Sequence, residues 1–133
     1  MSNMLIQNAT MVLPNTTVVG DLLIENGQIT SIQPGGGIAV ENEIHTVDAT
    51  GLHLLPGIID PQVHFRDPGQ PEKEDLYTGS CAAASGGVTS FLDMPNNVPS
   101  QTTLQSMHEK IATGNQRCVT NFGFFIGATE SNV

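Results

Sequence analysis

Basic residues are scarce in this sequence: four Lys and Arg stand against thirteen Asp and Glu, which gives a formal net charge of -9. Proteins that bind nucleic acid or anionic membranes need a basic field on their surface, so we expect neither partner here. The same scarcity makes each cation informative. A single arginine in acidic surroundings selects an anionic group only where it is well placed, and Arg66 is the candidate.

Cysteine, tryptophan and long apolar runs are also rare or absent. Cys81 and Cys118 have no CxxC spacing, which excludes a disulfide scaffold and a zinc–cysteine site and predicts two reduced thiols. No apolar stretch approaches the length of a membrane span, and residues 1–4 lack the basic segment of a signal peptide. We therefore expect a cytoplasmic location.

The first part of the chain, residues 1–53, has the pattern of a small β module. Short β-type runs cover residues 4–6, 18–24 and 28–32, and Asn26-Gly27 is a strong signal for a two-residue hairpin. A Pro-Gly-Gly-Gly break and a further short run at 46–49 follow. We expect a β-sandwich-like module that is part of a composite β-sandwich.

Residues 54–133 instead alternate between strand and helix patterns, which is typical of parallel βαβ units in an α/β fold. The predicted elements are a strand over 54–64, a helix that opens at 71–75 and ends at Gly86-Gly87, a strand over 88–94, an amphipathic helix that carries Leu104, Met107, His108 and Ile111 and ends before Gly114, and a strand over 118–126.

Polar side chains collect where the first two strands end. Because side chains alternate along a strand, Gln62, His64 and Arg66 are predicted to share one face. Asn96 follows the second strand 32 positions after His64, a spacing that fits one βα repeat. Chemistry in barrels of parallel strands sits at the carboxyl ends of the strands. The residues alone indicate a metal or anion site there, although a lone histidine is more often structural.

Three segments carry a resemblance to a known family. Residues 56–69, Pro-Gly-Ile-Ile-Asp-Pro-Gln-Val-His-Phe-Arg-Asp-Pro-Gly, resemble the start of the barrel in the amidohydrolase superfamily, and their ending resembles that of dihydroorotases. Residues 86–99, which contain Met-Pro-Asn, and residues 122–130 resemble the next two strands. The resemblance implies a small β module followed by the first three βα units of a TIM-type (β/α)8 barrel, which is incomplete in this chain.

The resemblance also implies roles for four residues. His64 would be a metal ligand, with zinc as the metal in one or two ions. Gln62 stands where the family has its first histidine, and an amide oxygen suits hard cations better than zinc, so this position predicts a weakened or altered site. Arg66 would pair with a substrate carboxylate, and Asn96 would bind the substrate through its amide. The general acid/base is expected from later strands, so none is assigned in this chain.

The implied function is reversible hydrolysis of dihydroorotate to N-carbamoyl-aspartate in de novo pyrimidine biosynthesis, by an enzyme expected to be a homo-oligomer. Two alternatives stay open. One is another cyclic amidohydrolase, either an allantoinase or a hydantoinase. The other is a catalytically inactive dihydroorotase-like partner of aspartate transcarbamoylase, for which Gln62 is the main support.

A first prediction concerns the 133-residue chain by itself. Because the remaining metal ligands and the general acid/base are expected from later strands, we expect the purified chain to hydrolyse dihydroorotate no faster than a blank. A metal-dependent rate that disappears in His64→Ala would contradict this expectation.

Overall fold

The computed structural model describes residues 3–41 and 43–132, and the chain divides into two units, Met1–Pro56 and Gly57–Val133. Within the described residues the elements in chain order are β1 (Met4–Leu13), β2 (Thr16–Glu25), β3 (Gln28–Pro34), β4 (His45–Asp48), β5 (His53–Leu54), β6 (Ile58–Val63), α1 (Leu76–Ser85), β7 (Val88–Asp93), α2 (Leu104–Arg117) and β8 (Asn121–Phe124).

The first unit forms one sheet around its longest strands, in the order β3-β2-β1-β4, with β5 also paired to β1. β2 and β3 are joined by the predicted hairpin, whose central residues Asn26 and Gly27 have φ of 54° and 80°. Positive φ at both positions is what a type I′ turn requires. The described residues of this unit show a single sheet, so the β-sandwich stays a prediction.

A small apolar cluster with members on β1, on β2 and just after β4 stabilises this sheet. Its buried members are Ala9, Met11, Leu22 and Ala49, and partly buried aliphatic side chains pack around them. Burial of such side chains supplies the main stabilising free energy of so small a unit.

A buried carboxylate fixes the glycine-rich segment after β3. Asp21 is 2% exposed, and it accepts hydrogen bonds from the backbone N–H groups of Asn8 (3.0 Å), Gly37 (2.8 Å) and Ile38 (3.2 Å). These bonds stabilise the ionised form, with Asn8 making the largest contribution, and they lower the pKa of Asp21 below its ordinary value against the opposing effect of burial. The Pro-Gly-Gly-Gly break is thus an anchored loop.

The second unit contains the predicted parallel sheet, in the order β6-β7-β8. Four of the chain's five Phe residues form the layer between sheet and helices. Phe65 contacts Phe91 at 4.8 Å between ring centroids, and Phe122 stacks on Phe124 at 5.0 Å. The alternation of strand, helix, strand, helix, strand predicted from the sequence is therefore confirmed.

The predicted first strand over 54–64 is wrong at both ends. Leu54 pairs with Met11 of β1 in the other sheet, and β6 begins only at Ile58. Pro56 lacks the N–H group that a ladder needs, so it separates the two strands. At the other end, β6 stops at Val63 and His64 follows it in a loop. The predicted third strand is also shorter, at Asn121–Phe124.

The first helix starts later than predicted, at Leu76. Asp75 is its N-cap with extended backbone, and its side chain accepts a hydrogen bond from the Thr78 N–H at 2.7 Å. Because this cap satisfies a free N–H group of the first turn, the helix begins after Asp75, and the preceding Pro-Glu-Lys-Glu segment stays outside it. Gly86 ends the helix as predicted.

The second helix runs through Gly114 to Arg117 instead of ending before it. A side chain at position 114 would meet the rings of Phe122 and Phe124, so the glycine serves close packing. The predicted apolar face is also wrong, because Leu104 is 73% exposed while Lys110 is 3% exposed. Cys81 and Cys118 are both free, as predicted. No helix among residues 3–41 and 43–132 is long and apolar enough to cross a membrane.

The Asp21 contacts predict a pH-dependent contribution to stability. Since its folded-state pKa is lowered, the ionised carboxylate stabilises the first unit fully above about pH 4, and this contribution is lost as the pH falls through the folded-state pKa. Asp21→Asn should therefore lower the free energy of unfolding at about pH 6.5. At about pH 3 the same substitution should lower it by a smaller amount. Urea titrations at both pH values, followed by the backbone NMR signals of β1 and β2, measure the difference.

The exposed Glu41 offers the control. Glu41→Gln should leave the free energy of unfolding nearly unchanged at both pH values, because its side chain is exposed. A loss for Asp21→Asn that is the same at both pH values would contradict the role given to the carboxylate.

Candidate functional site

Backbone hydrogen bonds connect the carboxyl ends of the three parallel strands. The Met94 N–H donates to the Val63 carbonyl at 3.0 Å, and the Phe125 N–H donates to the Asp93 carbonyl at 3.0 Å. Polar residues that follow β6 and β7 are thereby brought to one edge of the sheet, as the sequence predicts.

His64 and Asn96 meet at this edge. The His64 Nδ1 atom lies 3.0 Å from the Asn96 Oδ1 atom, and both side chains are exposed. An amide oxygen can only accept, so this contact uses a proton on His64 Nδ1, and in the neutral ring Nε2 then keeps its lone pair. This is the arrangement in which a histidine can bind a metal ion or accept a proton through Nε2.

Gln62 lies in an irregular part of β6. The pairing with β7 shifts register between Asp60 and Val63, and the Asp60 carboxylate accepts a hydrogen bond from the Gln62 N–H at 3.0 Å. The predicted face shared by Gln62, His64 and Arg66 assumes that side chains alternate regularly along the strand. The register shift interrupts this alternation. The shared face therefore stays a prediction. The Asp60 carboxylate stabilises this irregular part of the strand through its hydrogen bond with the Gln62 N–H.

The backbone around Arg66 is firmly held. Its N–H donates to the Glu74 carbonyl at 2.9 Å, and its carbonyl accepts from the Gln70 N–H at 2.8 Å. Gly69 completes the loop with φ of 113°, where a Cβ atom would also meet the carbonyl of Val98. The glycine in the His-Phe-Arg-Asp-Pro-Gly motif is thus required by both conformation and space.

Arg117 pairs with the acid next to Arg66. Its guanidinium binds the Asp67 carboxylate at 2.7 Å and the Asp75 carboxylate at 2.7 Å. Asp67 is the acid closest in sequence to Arg66, and Arg117 engages it. Arg66 itself forms no salt bridge with any residue in the described part of the chain.

Behind this edge lies a buried ion pair. The Lys110 ammonium lies 2.6 Å from the Asp93 carboxylate, with side-chain exposures of 1% and 0%. The ammonium also donates to Asn97 Oδ1 at 2.7 Å and lies 4.7 Å from the centre of the Phe124 ring. Its donors are thus directed at a carboxylate, an amide oxygen and an aromatic face. Burial raises the pKa of the Asp93 carboxyl above its ordinary value, and Lys110 opposes this rise.

Two arms connect the ion pair to the loop after β6. Asp93 Oδ1 accepts from the Phe65 N–H at 2.9 Å. The Asn97 side-chain amide donates to the carbonyls of Phe65 (3.2 Å) and Asp67 (3.3 Å). The buried network is satisfied at each of these atoms, which is the condition under which buried polar groups specify one conformation.

Lys110 and Arg117 were missed by sequence reasoning. A lysine inside a helix is ordinarily an exposed residue. One signal was available: Lys110 lies three positions after Met107 and four before Gly114, so the three share a helical face.

The described residues do not form a complete metal site. No group of three or more His, Cys, Asp or Glu side chains there is arranged to hold a metal ion. His64 offers one imidazole nitrogen and Gln62 one amide oxygen, which is fewer than the three protein ligands of a catalytic zinc.

Comparison with known proteins places this geometry in a family. The amidohydrolase family matches residues 53–131, and the chain belongs to this family. Among curated relatives, the chain is 40% identical over 124 residues to a dihydroorotase of Methanosarcina acetivorans, covering 93% of this chain and 26% of the relative. It is 36% identical over 132 residues to an allantoinase of Deinococcus radiodurans, covering 98% and 29%.

A solved structure agrees with the fold. The L-hydantoinase (dihydropyrimidinase) of Arthrobacter aurescens superposes with a TM-score of 0.90 at 27% identity, over 99% of this chain and 29% of that chain. The predicted membership of the amidohydrolase superfamily is confirmed. The chain spans between a quarter and a third of the length of these relatives, so the number of barrel units stays a prediction.

The buried ion pair predicts a large cost for losing one partner. Lys110→Met keeps an unbranched side chain and leaves the Asp93 carboxylate buried without its cation, so we expect a loss of ~3–5 kcal/mol in the free energy of unfolding of the second unit. The double variant with Asp93→Asn removes both charges and should lose less. Denaturant titrations followed by the NMR signals of β7 and β8 measure these losses.

Lys73 provides the matched control, because it is exposed and its ammonium donates only to Gln70 at 3.1 Å within the described residues. Lys73→Met should change the free energy of unfolding by less than about 0.5 kcal/mol. Equal losses at positions 73 and 110 would show that the buried pair has no special role.

Proposed function

We propose that this chain belongs to a dihydroorotase, a metal-dependent hydrolase of cyclic amides that interconverts dihydroorotate and N-carbamoyl-aspartate in de novo pyrimidine biosynthesis. The observation that carries the proposal is the contact between His64 and Asn96 beside the Arg66 loop. Family membership and the 40% identity to a dihydroorotase support it.

Each of the three residues has a role in this proposal. Arg66 pairs with the carboxylate of dihydroorotate, for which its fork of N–H donors is suited. Asn96 binds the substrate through its side-chain N–H groups, because His64 occupies its oxygen atom. His64 would supply Nε2 as one ligand to zinc, and a bound zinc would polarise the amide carbonyl and activate water.

Gln62 stands where the family has a histidine and would change the metal site. As an amide ligand it would bind zinc less well than an imidazole, so the site would hold one ion or an altered pair. The further ligands and the general acid/base would have to come from outside this chain. Zinc, a homo-oligomeric state, a partnership with aspartate transcarbamoylase and a cytoplasmic location all stay predictions.

A second candidate is an allantoinase or hydantoinase. The similarity to an allantoinase and to an L-hydantoinase favours it. Allantoin and hydantoin carry no carboxylate, so neither would use the available Arg66 guanidinium as an anion-binding group. Arg66 thus separates the two candidates.

The full-length protein that carries this chain tests the choice. We expect it to hydrolyse dihydroorotate in preference to allantoin and hydantoin. Arg66→Met should lower kcat/KM for dihydroorotate about 100-fold, since hydrogen bonds between charged groups contribute about 1.5–3 kcal/mol each. The same substitution should leave any slow hydrolysis of hydantoin nearly unchanged. Steady-state rates on the three substrates provide the measurement.

Lys73→Met is the control, because this lysine is exposed and its ammonium binds the Gln70 side chain, whereas Arg66 is held by the Gln70 backbone N–H. A preference for allantoin or hydantoin would favour the second candidate. Zinc content tests the inactive alternative: if only Gln62→His binds zinc and hydrolyses dihydroorotate, the natural protein is a non-catalytic member of the family.

A further inference from the structure

Lys110 stands apart from the other basic residues of the chain. It is 3% exposed, whereas Arg66 and Arg117 are half-buried and Lys73 is exposed. Burying an ammonium costs free energy unless it is fully paired. An aliphatic side chain could fill the same space, so packing alone does not account for an ammonium group at this buried position.

We propose that Lys110 is a positioning residue, which fixes the loop carrying His64 and Arg66 from behind the sheet through Asp93 and Asn97. The inference rests on the proposed function in one respect, since it takes His64, Arg66 and Asn96 as site residues. The contacts themselves do not depend on which cyclic amide is hydrolysed.

The first arm fixes the chain at the exit of β6. Asp93 is shared between two donors: its Oδ2 atom accepts from Lys110 at 2.6 Å and its Oδ1 atom accepts from the Phe65 N–H at 2.9 Å. The ammonium therefore holds the carboxylate in the orientation in which it binds the residue directly after His64.

The second arm fixes both sides of Arg66. Lys110 donates to Asn97 Oδ1 at 2.7 Å, which turns the amide nitrogen towards the carbonyls of Phe65 and Asp67. Asn97 also follows Asn96 directly in the chain. The same side chain thus holds the loop after β6 and the backbone next to the partner of His64.

Together the arms leave little freedom in this loop. Phe65 and Arg66 have a hydrogen-bond partner at each backbone N–H and C=O group: Asp93 and Asn97 for Phe65, Glu74 and Gln70 for Arg66. The two partners of Phe65 are the two residues that Lys110 binds. The site side chains are thus presented by a rigid backbone, which is what preorganised binding requires.

Two NMR signals of the 133-residue chain test the proposal without any assay of activity. We expect the exchange rate of the Phe65 amide to rise roughly tenfold in Lys110→Met, because the carboxylate that binds it loses its anchor. We also expect the His64 ring nitrogens to lose the signature of a proton on Nδ1, because the contact with Asn96 is released. A purely stabilising lysine would not change the protonated nitrogen of a histidine that it does not touch.

Lys73→Met is the matched control and should leave both signals as in the unsubstituted chain. The proposal is overturned if Lys110→Met keeps the β7–β8 amides protected and leaves Phe65 exchange and the His64 signal unchanged. If Lys110→Met does not fold, Asn97→Ala replaces it, because it cuts the second arm and keeps the ion pair. Unchanged exchange at Arg66 and Asp67, with an unchanged His64 signal, would then overturn the proposal.

The proposed function is tested separately by hydrolysis of dihydroorotate with the unsubstituted full-length protein. An inactive protein, combined with the expected NMR changes, supports the positioning role and contradicts the function. An active protein, combined with unchanged NMR signals in a folded variant, contradicts the positioning role and leaves the function standing.

Discussion

The ion pair between Lys110 and Asp93 is the contact through which helix α2, strand β7 and the loop after β6 are joined. Asp93 ends a buried strand, and Lys110 arrives from the helix that covers it. Because both side chains are almost fully removed from water, the pair tolerates little displacement. Stability of the second unit and geometry of the candidate site thus depend on the same atoms.

Arg117 forms a second ion pair beside the Arg66 loop, with the Asp67 carboxylate. Asp67 follows Arg66 directly and could pair with it, but it binds Arg117 at 2.7 Å. Pairing among the charges of the protein decides which of them stay available to a ligand. Asp67 is therefore already neutralised by a cation other than its neighbour Arg66.

The sequence predicted the elements that depend on local chemistry. The hairpin at Asn26-Gly27, the helix end at Gly86 and the strand at Val88–Asp93 all follow from turn chemistry or from a short apolar run. The meeting of His64 with Asn96 was also anticipated, because parallel strands align their carboxyl ends.

The errors in the second helix have a common physical origin in contacts between distant residues. Gly114 does not end its helix because two phenylalanines of a later strand pack against it. Lys110 is buried because Asp93, 17 positions away, neutralises it. Neither partner can be identified from helical periodicity, which describes one element at a time.

The distribution of charge has a consequence for association kinetics. All four basic residues of this chain lie in the Arg66 loop or bind its supports, while thirteen acids give the chain its net charge of -9. A dissolved anion is repelled at long range and is attracted only within about 8 Å of Arg66, the Debye length at physiological ionic strength. Added salt weakens the distant repulsion more than the close attraction, so encounter of this chain with an anion becomes faster as ionic strength rises.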